Sequence, residues 1–198
     1  MPELNVNSLG VRGDLRITTD ILRVESGAEV SAEGLGGGRA GNLIINADSI
    51  RLNNNGLLTA NTLSNRVNRE RQQATININA QDLILRNSSN ITTNAAGEDV
   101  TGGDINIDSG VILALENSDI TANSENFRGG NINIVAQGIF GTQFREENTD
   151  LSDITATGAN SELSGRVEIN GIEQNPVEAL TELPTAPLEG EFYDACGV

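Results

Sequence analysis

The sequence predicts an all-β protein, a parallel β-helix of about six coils with three short strands in each coil. Three observations lead to this prediction. A unit of about thirty residues repeats, apolar residues alternate along short runs, and polar turn residues recur at matching places in each copy. Alternation indicates that one face of each strand is buried, and one copy has too few apolar side chains to close a core. Stacked copies would share a core, as in solenoid proteins.

The repeats divide the chain into a lead-in, a solenoid and a tail. Copies start at Gly13, Gly41, Ala74, Gly103, Gly130 and Gly165, and the starts are 28, 33, 29, 27 and 35 residues apart. In the copy from Gly103 the alternating pairs are Ile105 with Ile107, Leu113 with Leu115, and Ile120 with Ala122. We expect residues 1–12 to be a short lead-in and residues 13–170 to form the solenoid, with the difference in copy length confined to one loop per coil.

Polar residues follow each predicted strand at matching positions. They are Asn46, Asn79 and Asp108 after the first strand, Asn54, Asn87 and Asn117 after the second, and Asn61, Asn94 and Asn123 after the third. Asn tolerates left-handed backbone conformations, and stacked side-chain amides can hydrogen-bond along a column. We therefore predict that these nine residues form structural turn ladders rather than a ligand site.

The tail, residues 171–198, breaks the repeat pattern. It contains Pro176, Pro184 and Pro187. Because proline cannot lie in a central strand, the tail is predicted to be either a partial cap built on its leucines or an acidic linker. Cys196 is the single cysteine of the chain, which excludes a disulfide framework within it and a thiolate metal cluster.

Composition excludes several classes of function. The chain has 12 basic and 28 acidic residues, a net charge of −16, and no His; all 12 basic residues are Arg. Chemistry that needs His or Lys is therefore absent, and we expect no metal or other cofactor. The negative charge disfavours nucleic acid, and no apolar stretch is long enough for membrane insertion.

Two predicted loops carry the candidate contact residues. The loop Thr62–Gln73 concentrates Arg66, Arg69 and Arg71 in an otherwise acidic chain, and the loop Phe140–Asp153 carries Phe144 and Arg145. Arginine forks suit carboxylate or sulfate groups of a polysaccharide, and aromatic rings beside charges are common at sugar-binding surfaces. The alternative is that the arginines are solvated and that the phenylalanines hold their loop against the outer sheet.

Enzymes such as pectin and pectate lyases share the parallel β-helix architecture, but fold alone does not establish activity. Such a site needs clustered carboxylates or a carboxylate with a cation on adjacent coils. Here Glu116 and Asp119 lie in one copy, with Asp82 and Arg86 in the preceding one. This arrangement is indistinguishable from ordinary outward-facing charge, so we expect no catalytic residues.

Residues 13–52, GDLRITTDILRVESGAEVSAEGLGGGRAGNLIINADSIRL, resemble the repeats of filamentous-haemagglutinin-like exoproteins of two-partner secretion systems, especially the cyanobacterial type. The similarity extends to about residue 170, and GRVEINGIEQNPVEALTELPTAPLE is similar to the C-terminal region of those proteins. The resemblance implies a right-handed helix, export through an outer-membrane secretion partner, and a place outside the cell or on its surface as an adhesin or fibre.

The expected function is thus the structural shaft of a secreted or cell-surface fibre whose edge loops contact surface glycans or proteins. The family's signal peptide and secretion domain are not recognisable in this chain, which resembles the distal part of such an exoprotein. No residue of a catalytic or binding motif can be transferred from the family. The alternatives are a carbohydrate-binding or polysaccharide-degrading β-helix and a truncated, non-functional exoprotein fragment.

Overall fold

The computed structural model describes residues 13–34, 40–63, 73–171 and 173–174. It is a right-handed parallel β-helix of about four turns. The long strands are β1 (Leu15–Glu25), β3 (Leu43–Asn53), β5 (Thr75–Arg86), β7 (Asp104–Ala114) and β9 (Asn131–Phe140). The shorter strands are β2 (Glu29–Ser31), β4 (Leu57–Thr59), β6 (Asn90–Thr92), β8 (Ile120–Thr121), β10 (Thr142–Phe144), β11 (Ser152–Thr155), β12 (Arg166–Asn170) and β13 (Glu173–Gln174), with one 3-10 turn at Ser161–Leu163.

The strands form two parallel sheets. The long sheet has the order β1-β3-β5-β7-β9-β12, with β13 also paired to β9, and the short sheet has the order β10-β11-β8-β6-β4-β2. The six main strands of the long sheet are β1, β3, β5, β7, β9 and β12. The chain passes once around the rod between each main strand and the next. The predicted fold class is confirmed, and the six predicted repeat starts precede the six main strands of the long sheet. The described rod has about four turns rather than the six coils predicted.

The first two predicted strands of each coil are joined into one long, bent strand. In the β1–β3 pair, Thr19 is opposite Ala47 and Ile21 is opposite Ser49, so the register omits one residue at the bend. The same omission recurs in every pair up to β7–β9. The third side of the rod carries isolated bridges, such as Thr62 with Ala95. Each turn therefore has one long and one short strand rather than three short ones, because the backbone stays extended through the bend.

The core consists of apolar columns that run along the rod. One column lines up Ile17, Ile45, Ile78, Ile107, Ile134 and Ile169. Ile45 and Ile134 are fully buried, whereas Ile17 and Ile169 in the outermost strands are only partly covered. Each fully buried isoleucine contributes about 1.5–3 kcal/mol relative to an exposed one. A single turn has too few apolar side chains to bury its own isoleucine, so this stabilisation depends on the neighbouring turns.

Glycine is required where one turn passes closest to the next. A Cβ atom on Gly130 would overlap the carbonyl oxygen of Gly103, and one on Gly165 would overlap that of Gly130. Gly41 stands in the same relation to Gly13. The glycines that mark the starts of these copies are thus set by the close backbone contact between turns.

Placing a charge in the core should unfold the rod far more readily than placing the same charge on its outer face. Ile107→Asp puts a carboxylate among fully buried neighbours and should lower the free energy of unfolding by at least about 3 kcal/mol. Asn106→Asp, one residue away and exposed, should cost about 1 kcal/mol or less. Urea denaturation followed by far-UV circular dichroism measures both variants, and equal losses would contradict the coil arrangement.

Candidate functional site

Asparagine side chains connect successive turns at the corner after the short strands. Asn61 Oδ1 accepts the backbone N–H of Asn94 at 2.7 Å, Asn94 Oδ1 accepts that of Asn123 at 2.8 Å, and Asn123 Oδ1 accepts that of Thr157 at 2.7 Å. The expected contact was between side-chain amides. The observed acceptor role differs because the backbone N–H at a corner has no partner in a sheet and would otherwise be left unpaired.

A second ladder is built from serine and was not predicted. Ser89 Oγ accepts the backbone N–H of Gly56 at 3.1 Å, Ser118 Oγ accepts that of Ser89 at 3.1 Å, and Ser152 Oγ accepts that of Ser118 at 3.0 Å. The three serines are buried. In this ladder the donor precedes the acceptor in sequence, the reverse of the asparagine ladder. Serine is common in turns of every kind, so its recurrence gave little signal.

The turn after each long strand uses left-handed backbone, and its register corrects one prediction. Asn54 and Asn87 have φ of 50° and 52°, but the residue in register with them is Glu116, with φ of 62°. Ser88 N–H donates to the Glu116 carbonyl oxygen at 2.9 Å, which fixes this alignment. Asn117 is therefore displaced by one position from the predicted column. The Asn117 side-chain amide instead faces the Leu151 carbonyl oxygen, and with its nitrogen assigned to that side it donates to this oxygen at 2.9 Å.

The prediction that Asn46, Asn79 and Asp108 lie in turns is wrong. They lie inside β3, β5 and β7, in register and facing outward. Alternation along a strand places a polar residue after every inward one, so an outward strand position and a turn give the same pattern. These three residues belong to a part of the outer surface of the long sheet that is here called the asparagine face. The asparagine face comprises Ile44, Asn46, Asn77, Asn79, Asn106, Asp108, Asn133 and Val135.

The asparagine face contains a shallow groove with a volume of about 300 Å³ that crosses four adjacent strands. Within it, Asn106 Nδ2 donates to Asn77 Oδ1 at 3.0 Å. Among the described residues, the side chains of Asn46, Asn79 and Asn133 have no hydrogen-bond partner. Their amides can therefore bond to solvent or to a ligand through both the oxygen and the nitrogen, whereas Asn61, Asn94 and Asn123 use their side-chain oxygens within the fold.

The predicted loop Phe140–Asp153 is partly strand. Phe140 ends β9, Gly141 turns the chain at φ of 76°, and β10 follows. β10 pairs with β11, so Phe144 lies opposite Ile154 at the end of the short sheet. Phe144 is 48% exposed, so about half of this residue is open to solvent, whereas the ring of Phe140 lies against Gly138 of β9. The remaining loop covers only residues 145–151.

Arg145 is used by its own loop. Its guanidinium Nη1 donates to the carboxylate of Asp153 and, at 3.0 Å, to the carbonyl oxygen of Ser152. The Asp153 side chain is fully buried, and it also accepts Thr149 N–H at 2.5 Å. A buried carboxylate needs such a cation and N–H donors to offset its lost hydration. The arrangement closes residues 145–153 into a clasp, in which Arg145 holds the loop together and is not a free contact for a ligand.

Asp119 lies beside this clasp. Its Oδ1 accepts the backbone N–H of Asp153 at 2.9 Å, and its Oδ2 is 3.5 Å from Asn148 Nδ2. Burial raises the pKa of the Asp119 carboxyl above its ordinary value of 3.8, and the nearby charge of Asp153 raises it further, while the two hydrogen bonds act in the opposite direction. Asp119 thus extends the ladder that begins with Asn90, whose Oδ1 accepts Asp119 N–H at 2.8 Å.

The other predicted site residues are spread over the rod. Arg66, Arg69 and Arg71 lie in residues 64–72, outside the described residues, so their role as a contact loop stays a prediction. Arg86 forms a two-bond ion pair with Glu116, at 2.5 and 2.9 Å, on the exposed turn. Asp82 accepts a hydrogen bond from Ser49 at 2.6 Å. These charges are engaged in separate contacts between turns.

Removing one acceptor of the corner ladder should weaken the rod. Asn94→Ala leaves the Asn123 N–H without its partner, and we expect a loss of about 1–3 kcal/mol in the free energy of unfolding. Asn79→Ala is the matched control, because its amide has no partner among the described residues, and it should cost about 0.5 kcal/mol or less. Equal losses in urea denaturation would contradict the structural role of the corner amides.

The free energy of unfolding should depend on pH in opposite ways in variants at Asp119 and at Glu116. Because the pKa of Asp119 is raised in the folded state, its charge opposes folding, and the unfavourable contribution grows as pH rises from 3.8 through the folded-state pKa. Asp119→Asn should therefore gain stability over the wild type as pH rises, reaching a plateau near neutrality. Urea denaturation across pH 3.5–7 measures this difference.

Glu116 provides the comparison of opposite sign. Its hydrogen bond with Arg86 lowers the pKa of the Glu116 carboxyl below its ordinary value of 4.5. The stabilising contribution of this carboxylate is present above 4.5 and is lost as pH falls through the folded-state pKa. Glu116→Gln should therefore lose stability relative to the wild type as pH rises. If both variants changed in the same direction, the assignment of these two environments would be incorrect.

Comparison of the chain with protein-family models, curated proteins and solved structures gave no match. Within the part of the chain that the structure describes, no helix is long and apolar enough to cross a membrane. The same residues contain no group of three or more His, Cys, Asp or Glu side chains that could hold a metal ion. The chain is therefore identified as a parallel β-helix by its own strands and register.

Proposed function

We propose that this chain forms part of the structural shaft of a secreted or cell-surface adhesin-like fibre. The observation that carries the proposal is the regular register of the long sheet, in which equivalent positions pair from β1 to β12. In such a rod each turn repeats the geometry of the turn before it, and the length of the rod is set by the number of repeats. The resemblance of the repeats to filamentous-haemagglutinin-like exoproteins supports the same function.

Charge and surface chemistry favour an extended, soluble rod. The net charge of −16 opposes lateral association of parallel rods. The outward side chains of the long sheet include many polar ones, whereas the apolar columns face inward. The shaft would hold its loops at one edge of the rod, where residues can vary without disturbing the core. The proposal assigns no reaction to the chain.

Export of the parent protein through an outer-membrane partner is part of this proposal and derives from the resemblance. A carbohydrate-binding function, the alternative expected from the sequence, is favoured by the free side-chain amides of the asparagine face. A truncated, non-functional fragment is the remaining alternative, and it predicts that cells contain no such polypeptide.

Fractionation of the producing cells tests the proposal. An antibody raised against the peptide of residues 62–73 should detect a species much larger than 20.9 kDa at the cell surface or in the medium. A strain with the coding region deleted is the control for antibody specificity. A species near 20.9 kDa confined to the cytosol would contradict the fibre, and absence of the polypeptide from every fraction would favour the fragment.

A further inference from the structure

The asparagine side chains of this protein fall into two groups that differ in how the fold uses them. In the first group, the side-chain carbonyl oxygen accepts a hydrogen bond from a backbone N–H of the next turn, as in Asn61, Asn94 and Asn123. In the asparagine face, Asn46, Asn79 and Asn133 have no partner among the described residues. Asn77 and Asn106 share one hydrogen bond and retain a donor and an acceptor. The asparagine face therefore presents amide donors and acceptors that are not used in hydrogen bonds within the fold.

These positions are unfavourable for asparagine on structural grounds alone. Asn is depleted in strands, where β-branched residues pack and pair better. The face nevertheless has Asn at outward positions of four successive strands, β3, β5, β7 and β9. A residue choice that opposes local preference without a compensating contact is most often found at a functional site. The asparagine face is therefore a candidate binding surface.

The geometry suits an extended ligand aligned with the rod. In register, Asn77, Asn106 and Asn133 form one row along the axis, and Asn46, Asn79 and Asp108 form a parallel row. Successive members of a row are about 4.8 Å apart, the spacing of neighbouring strands, which is close to the length of one sugar ring. The half-buried Ile44 and the 44% exposed Val135 supply apolar contacts at the two ends of the groove.

The charge of the groove indicates a neutral ligand. Asp108 is the single ionisable side chain among the residues that line it, although the chain as a whole carries a net charge of −16. No arginine lines the groove itself. Arg16 and Glu168, in register with Ile44 and Asn133, lie one strand beyond its two ends, so within the groove there is no fork for phosphate, sulfate or carboxylate groups. Amide groups donate and accept at the same time, which matches hydroxyl groups. A polymer rich in hydroxyl groups and without charge satisfies these conditions.

We propose that the asparagine face binds a neutral, extended glycan chain, with about one sugar unit for each turn of the rod. The hydroxyl groups of the glycan bond to the side-chain amides, and the chain lies along the two rows. Each turn contributes little binding energy, so useful affinity requires several turns acting together. In this respect the inference rests on the proposed function, because a fibre supplies many turns in line.

Calorimetric titration of the purified full chain with cellohexaose and xylohexaose tests the proposal, with cellobiose as a short comparison. We expect saturable binding of at least one hexasaccharide and weaker binding of the disaccharide. Asn79→Thr with Asn133→Thr removes two amides and inserts residues that favour strands, so the rod should fold. This double variant should weaken hexasaccharide binding about tenfold or more.

Gln137→Thr with Gln143→Thr is the matched control, because it removes two exposed amides outside the asparagine face, and it should bind as the wild type does. The proposal is overturned if neither hexasaccharide binds at concentrations up to about 10 mM, or if the asparagine double variant binds unchanged. Salt-sensitive binding of polygalacturonate alone would also overturn it and would point to the arginine loop. None of these outcomes bears on the fractionation result, so the glycan site and the fibre can fail separately.

Discussion

Parallel pairing between successive turns is the constraint on which the rest of this structure depends. A strand such as β5 has its backbone partners in β3 and β7, one turn away on either side. The apolar columns, the glycine positions and the ladders follow from it, because a pairing that repeats in register also repeats the side-chain environment. A residue that is suitable at one turn is therefore suitable at the equivalent place in the next.

The corners are the weak points of such a design, since the sheets end there and backbone groups lose their regular partners. Side chains take over this role. At one corner the Asn94 amide oxygen accepts an N–H from the following turn, and at another the Ser118 hydroxyl accepts one from the preceding turn. The two ladders thus join the same turns in opposite directions along the chain. Together they replace sheet pairing at the places where the backbone bends away.

The sequence predicts a residue's position correctly where its periodic pattern has a single structural explanation. Alternation correctly places Ile78 and Ile107 in the core. It could not separate Asn79, an outward strand residue, from a turn residue, because both follow an inward side chain. Glu116 was missed because glutamate rarely adopts left-handed backbone, and β10 was missed because three residues within an insertion carry no repeat signal. The free amides of the asparagine face could be recognised only after the hydrogen-bond partners of the asparagines in the described part of the chain were known.

The clasp has a consequence for the order in which the rod can form. β10 precedes β11 in the chain but lies outside it in the short sheet, so the polypeptide reaches an outer level before it fills the one beneath. A strand cannot pair with a neighbour that is not yet in place. If folding proceeded from the first turn towards the last, β10 would therefore stay unpaired until residues 145–151 had turned back and β11 had paired with β8. Among the described strands, β10 is the one that comes earlier in the chain than the neighbour on its inner side, so in a turn-by-turn assembly it would be the one strand made before its partner.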